Sequence, residues 1–362
     1  MSRNHLAALA VLAFAARAAA APLAAPLAAS VLVDGAPLRA TEAARLKRVN
    51  VEQVANGSDS CLIELEDGRG QSPGMMFEVG AALEVRVGAG RRAQTLFKGE
   101  VVAIEPIFDT HGDNTVVVRG FDLLHRLNRG RRTKTWENAS DADVVSRIAD
   151  EHGLLANAAE TGWRSDFIYQ NNQSDLDFLR ARAARAGFEL DVDDHTVLFR
   201  STPDPSADPT VEITDIKVPL RLVTSRVPGP LEVTVRGWDP KQKGPISGRA
   251  LGDSQQSGPG ASYVFDRADA LSEEPVLSEG LLFSQAEADD IAQAALQEVA
   301  AHSTMVEGEV RGNPQLKAGI VVKLVGIDQR FDGKYKVVAV QHRFSSGGYV
   351  TQFRVRRNAE KG

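Results

Sequence analysis

A single cysteine, Cys61, occurs in 362 residues, which excludes a disulfide framework and a thiolate metal cluster. It sits at the start of an apolar, strand-like run, as a buried structural thiol would. Aromatic residues make up only 6% of the chain, and 42 Lys and Arg are balanced by 48 Asp and Glu. The basic, aromatic-rich footprint of a chain whose main partner is nucleic acid is therefore missing. No apolar run is long enough for a membrane span, because the longest, Leu6 to Ala16, falls well short of about 20 residues. Enzyme signatures are missing too. There is no His-Glu-x-x-His, no Gly-x-Ser-x-Gly and no phosphate-binding loop. Gly88-Ala89-Gly90 before Arg91-Arg92 opens no helix. No catalytic, cofactor or metal residue is therefore assigned, and the chain is expected not to be an enzyme.

What is present is β-patterning. From Gly312 to Arg357 the residues alternate with the period of two of half-buried strands. Val321 and Lys323 oppose Val322 and Leu324, Val337 and Ala339 oppose Val338 and Val340, and Tyr349, Thr351, Phe353 and Val355 form a third series. A fainter copy runs from Gly80 to Gly120. Both copies carry Val-x-Val or Val-x-Leu, then Phe-x-Gly (Phe97-Lys98-Gly99 and Phe331-Asp332-Gly333), then Ala103-Ile104 or Ala339-Val340. The second copy has two more residues between glycine and alanine. Duplication of a small β-barrel is one reading, and chance likeness among valine-rich strands is the other.

Between the copies the period changes to that of helices. Ser140 and Asp143 form an N-terminal cap ahead of Val144, Val145, Ile148 and Ala149, with Gly153 as the stop. Ser174 and Asp177 cap a second helix that ends at Gly187, and a hairpin with a turn at Asp193-Asp194 follows. Residues Ser201 to Pro209 form a proline-rich joint, Pro240 to Gly260 read as irregular, and a third helix runs from Ser284 past Val299. The fold class expected is α+β, mainly β: a tail or signal-like segment at 1–29, a first β-barrel at 30–120, an α+β insertion at 121–200, linking strands with a flexible loop and helix at 201–304, and a second β-barrel at 305–362. The Ala/Pro-rich head resembles a secretory signal except that Arg17 interrupts its apolar run. A low-complexity extension or an upstream start codon is preferred.

Candidate constellations have plainer explanations. Asp191, Asp193, Asp194 and His195 could be drawn as a metal site, but they span a hairpin turn. Asp141, Asp143 and Asp150 decorate a helix, where negative charge near the N-terminus is favourable. Glu64 and Glu66 share a strand face without a partner. Two basic groups, Arg129, Arg131, Arg132 and Lys134 in a loop and Arg180, Arg182 and Arg185 on the second helix, could meet acidic partners or line a channel. Trp136, Trp163 and Trp238 fit core or interface positions.

The middle segment resembles the late control protein D family, the central hubs of contractile phage tails and tail-like injection systems, which includes the hub part of valine-glycine repeat protein G. The residues that carry the likeness are Ser174, Asp175, Leu176, Asp177, Phe178 and Leu179, followed by Gly187-Phe188; the terminal stretch is similar to that family's closing domain. The resemblance implies two similar barrels per chain and a homotrimer that offers a ring of six units to a hexameric inner tube, with a trimeric spike on the other side. It implies no chemistry and no cofactor. Its partners would be further copies of itself, tube, spike and other baseplate proteins, with DNA or an effector passing through the channel. Because the sequence stops at Gly362, the spike is expected on another chain. Assembly would occur in the cytoplasm, into a phage tail or tail-like particle. The alternative is an exported, envelope-associated β-protein that binds glycan or peptidoglycan, with or without hydrolysing it.

Overall fold

The computed structural model describes residues 29–67, 77–88, 93–109, 114–202, 209–214, 216–224, 232–251, 276–300, 304–328 and 331–357. The head up to residue 28 and residues 89–92 of the glycine-arginine string lie outside them, as do 203–208 and 252–275.

The chain begins with β1 (Ala29–Val33), β2 (Ala36–Pro37), a short α1 (Ala40–Ala43), β3 (Leu46–Val54), β4 (Ser60–Glu66), β5 (Ala82–Val87), β6 (Gln94–Ile107) and β7 (Thr115–Phe121). Alternation does the work expected of it in β3, where Val49, Val51 and Gln53 turn inward. Leu123–Asn128 form a 3₁₀ turn. The α+β segment comprises β8 (Arg132–Ala139), α2 (Asp141–Glu151), β9 (Leu155–Ala158), β10 (Ser165–Gln173), α3 (Asp175–Ala186), β11 (Phe188–Asp193) and β12 (Thr196–Ser201). Its helices begin where the caps predict. Ser140 Oγ accepts from the Asp143 N–H at 3.2 Å and Ser174 Oγ from the Asp177 N–H at 3.1 Å. Next come β13 (Val211–Ile213), β14 (Ile216–Thr224), β15 (Glu232–Asp239), β16 (Gly244–Leu251), β17 (Val276–Leu281) and α4 (Gln285–Ala300). The chain closes with β18 (Thr304–Arg311), β19 (Val321–Leu324), β20 (Gly333–Ser345) and β21 (Gly348–Arg357).

The protein is mainly β, of the α+β class, and its two strand-rich ends pair their strands in the same order. The first end pairs in the order β3-β4-β7-β6-β5-β1, the second in the order β14-β18-β21-β20-β19-β13. Ladder registers make the match residue by residue. Leu83 opposite Gly99 corresponds to Val322 opposite Tyr335, and Cys61 opposite Gly120 corresponds to Val306 opposite Val355. Both copies carry a register shift at the same place, between Val101 and Ala103 in one and between Val337 and Ala339 in the other. An extra residue in a strand reverses the facing of every residue beyond it. This is why Val337, Val340, His342 and Phe344 are buried, in place of the unbroken alternation expected from the sequence.

Two expectations are corrected here. The units are not two closed barrels, and no closed barrel forms among the described strands. β20 pairs with β3 from Ala339–Val54 to Ser345–Arg48, so both units belong to one thirteen-stranded sheet. In the second unit the sheet curls until only two residues separate β13 on one edge from β14 on the other. The stretch after Pro240 is also not all irregular, since Gly244–Leu251 forms β16 against β15. β13 and β14 lie within the stretch expected to link the units, and they are built into the second one. β15, β16, β17 and α4 pack around a separate core that includes Val235, Leu282, Ala288 and Ile291.

Candidate assembly surface

The family-like residues serve as scaffold. Leu176, Phe178 and Leu179 lie in the core of the α+β segment, where Phe178 stacks on Trp136 with ring centroids 5.2 Å apart. Asp175 is buried, and its carboxylate takes contacts from His152 Nε2 at 2.8 Å, Gln170 Nε2 at 2.9 Å and Arg132 Nε at 3.4 Å. A buried carboxylate without such partners would be costly. Gly187 ends α3 at φ 67°, and a β-carbon there would lie 3.3 Å from Ala294 of α4. Phe188 packs on Phe199 at 5.0 Å. The ion pair of Arg185 with Glu287, 2.6 Å, ties α3 to α4.

Phe97 is buried in the first unit's core, and Gly99 lies within β6 opposite Leu83. Gly333 opens β20 opposite Leu324, with Phe331 just ahead of the strand. By ladder register the counterpart of Gly99 is Tyr335, and that of Gly333 is Phe97. The two Phe-x-Gly motifs thus lie two residues out of step, the offset already visible in their spacing.

The basic groups are largely engaged within the chain. Arg129 meets Glu100 at 2.9 Å, Arg131 donates to the Asn172 carbonyl at 2.8 Å, Arg132 and Lys134 share Glu151, each at 2.5 Å, and Arg182 meets Asp141 at 2.5 Å. Among the described residues, no group of three or more His, Cys, Asp or Glu is arranged to hold a metal ion. Asp194 instead pairs with Lys98 at 3.2 Å, beside His195. Glu64 meets Arg48 at 3.2 Å. Cys61 is buried in the first unit's core, and burial pushes its thiol up, away from nucleophilic chemistry. Trp136 and Trp163 are buried, whereas Trp238 is 47% exposed.

A cluster of carboxylates joins the first unit to the α+β segment. Asp122 accepts from Ser58 Oγ at 2.5 Å, the Asp59 N–H at 2.6 Å and the Leu124 N–H at 3.1 Å. Burial raises its pKa to about 7 against these hydrogen bonds. Burial and the neighbouring Asp122 raise Asp59 as well, and burial raises Asp191.

The joint between the two units is the other feature of note. β20 is a shared strand: its first residues pair with β19, its last with β3, and its opposite edge with β21. Phe344, fully buried, crosses from β20 into the core of the first unit and stacks on Tyr349 at 4.2 Å between centroids. Beside it His342 is buried, 3.1 Å from the Leu316 carbonyl, and burial lowers its pKa to about 4. Sequence reading does not single out Phe344. The signal for it is the spacing from Ala339 to Phe344, which recurs between Ala103 and Phe108.

The family described as the Alg8 N-terminal domain matches residues 24–346. The chain belongs to that family. No curated protein matches it by sequence. Among solved structures, it resembles the 43 kDa tail protein of prophage MuSo2 from Shewanella oneidensis at 15% identity and a TM-score of 0.65, over 91% of this chain and 98% of that one. The tail protein from Neisseria meningitidis MC58 aligns at 14% identity and a TM-score of 0.67, over 92% and 97%. An E. coli component of the type VI secretion system, described as structurally similar to the bacteriophage T4 tail proteins gp27 and gp5, aligns at 12% identity and 0.56, over 91% and 77%. At such identities these likenesses establish a shared fold, that of phage-tail and tail-like proteins. No described helix is long and apolar enough to cross a membrane.

Proposed function

We propose that this protein is a structural baseplate hub of the late control protein D type, acting as a homotrimer in a contractile phage tail or tail-like injection particle. It joins a hexameric inner tube to a trimeric spike and carries out no catalysis. The observation that carries this reading is the duplicated six-stranded unit. One chain holds two equivalent sheet units edge to edge, so three chains in a ring would present six, the symmetry a hexameric tube requires of its platform. The resemblance of the Ser174–Leu179 and Gly187-Phe188 stretch to hub proteins and the shared fold with tail proteins support the same reading. The cations of Arg129, Arg132, Lys134, Arg182 and Arg185 support structural roles, because each has an acidic partner within the chain.

The test is the mass of the purified protein in solution, by sedimentation velocity and native mass spectrometry, followed by imaging with tube protein added. A three-chain ring that nucleates tube growth is expected. A protein that remains monomeric at tens of micromolar and fails to bind tube protein would refute the hub reading.

A further inference from the structure

The two units match in strand order and register shift, yet one pair of equivalent residues differs sharply in surroundings. Counting through the shared register shift, Ala103 corresponds to Ala339 and Phe108 to Phe344. Phe344 is 0% exposed, seated in the core of the other unit, while Phe108 is 75% exposed. Ile107 beside it is 51% exposed. Two such side chains at the end of a strand, open to water, mark a surface meant to be covered.

The strand edges show the same imbalance. In the second unit, the far half of β20 has β3 along its edge; in the first, the far half of β6 pairs only with β7 among the described residues. The partner of β20 is β3, and the counterpart of β3 is β14, because Val51 opposite Cys61 corresponds to Leu222 opposite Val306. β14 pairs only with β18 among the described residues, so its outer edge is open as well, with Val223 43% exposed. An open edge is a template for another strand. The chain thus has one completed joint and the two separate halves of a second.

We propose that copies of this chain join head to tail by repeating the internal joint. The far half of β6 in one copy pairs antiparallel with β14 of the next, and Phe108 enters the second unit's core as Phe344 enters the first. The register follows from the internal one. Phe344 opposite Val49 becomes Phe108 opposite Leu220, and Gln341 opposite Glu52 becomes Glu105 opposite Val223. The facing agrees with this assignment. Leu220 and Leu222 pack against the second core, ready to receive Phe108, while Arg221 and Val223 point outward. Because the contact joins two different edges it propagates and closes only as a ring. The number of chains in that ring, three, rests on the hub reading above.

The test pairs Glu105→Cys with Val223→Cys in one chain, both on the outer face and away from the cores, with buried Cys61 as the only other thiol. Residues directly opposite in a ladder satisfy disulfide geometry. Mild oxidation should give a covalent three-chain ring, whereas the pair Glu105→Cys with Arg221→Cys, two residues out of register, should give little. Phe108→Asp should weaken self-association at least about thirtyfold while leaving the circular dichroism and melting of the single chain unchanged. A wild type that is trimeric, combined with no cross-link and an unaffected Phe108→Asp trimer, overturns this joint and leaves the hub reading standing. A wild type that is monomeric and yields no cross-link overturns both.

Discussion

The first and second β units have the same strand order and the same register shift, but they fill their interiors differently. Where Ile63 lies opposite Val118 in the first, Gly308 lies opposite Phe353 in the second, a redistribution of bulk across one pair of strands. Gly99 in the first corresponds to the buried Tyr335 in the second, and Asp122, just past β7, corresponds to buried Arg357 at the end of β21. The first strand also differs, since β1 runs antiparallel to β5 and β13 parallel to β19. Only two residues link β13 to β14, whereas β2 and α1 intervene between β1 and β3, leaving room for the chain to reverse. Ladder pairing and the register shift are thus the shared plan, and side-chain volume varies around it as long as each core is filled.

The largest expected effect separates Phe344 from Phe108. Phe344→Ala should cost ~3–5 kcal/mol of stability, as removal of a fully buried aromatic does. Phe108→Ala should change the stability of the single chain by less than ~0.5 kcal/mol. Urea unfolding at low protein concentration measures both, and equal costs would break the comparison. Gly99→Ala should come next, at ~1–3 kcal/mol. Its β-carbon would lie 2.1 Å from the Phe121 carbonyl oxygen, although the equivalent position accommodates Tyr335. A neutral result would mean that β6 and β7 lie further apart than described.

The two strand ends should differ in their response to pH. Asp122 has a folded pKa raised from 3.8 to about 7, so the folded state holds its proton more tightly than the unfolded state does. Its contribution is fully present below the unfolded value and is lost as pH rises toward about 7, with a slope of at most ~1.4 kcal/mol per pH unit. His342 acts in the opposite sense, losing stability as pH falls from 6.5 toward about 4, because its folded pKa is lowered. The informative quantity is therefore the difference between wild type and Asp122→Asn. Wild type should lose stability relative to the variant as pH rises from about 4 to about 7. A flat difference across that range would remove the assignment of the titration to Asp122.

A smaller effect than that of Gly99→Ala is expected at Gly187. Gly187→Ala should cost ~1 kcal/mol for the left-handed backbone, with a further penalty from Ala294. Thermal melting of the variant measures it, and no loss would mean that Gly187 does not hold the left-handed conformation that ends α3.

Much of this was legible from local chemistry. Ser140, Ser174 and Gly187 announce both helices of the α+β segment because capping is a short-range effect, and Val49, Val51 and Ile63 announce their strands by alternation. The misses also have physical causes. β8 and β10, sequences RTKTWENA and SDFIYQNNQ, are too polar to carry a clear period. β16 itself contains Gly244, Pro245 and Gly248 and so reads as loop. The shared edge between β20 and β3 joins residues nearly 300 apart in sequence, and nothing local encodes it. Even so, the equal spacing of Ala103 to Phe108 and Ala339 to Phe344 is plain in the sequence, and it aligns the copies better than the more conspicuous Phe-x-Gly.

The most direct measurement is a high-resolution image of the assembled particle or of the isolated ring. Six equivalent sheet joints should appear, alternating within and between chains, with Phe108 buried beside Leu220 of the next copy just as Phe344 is buried beside Val49. A ring in which Phe108 faces solvent, or in which the contact between chains uses edges other than β6 and β14, would contradict the account.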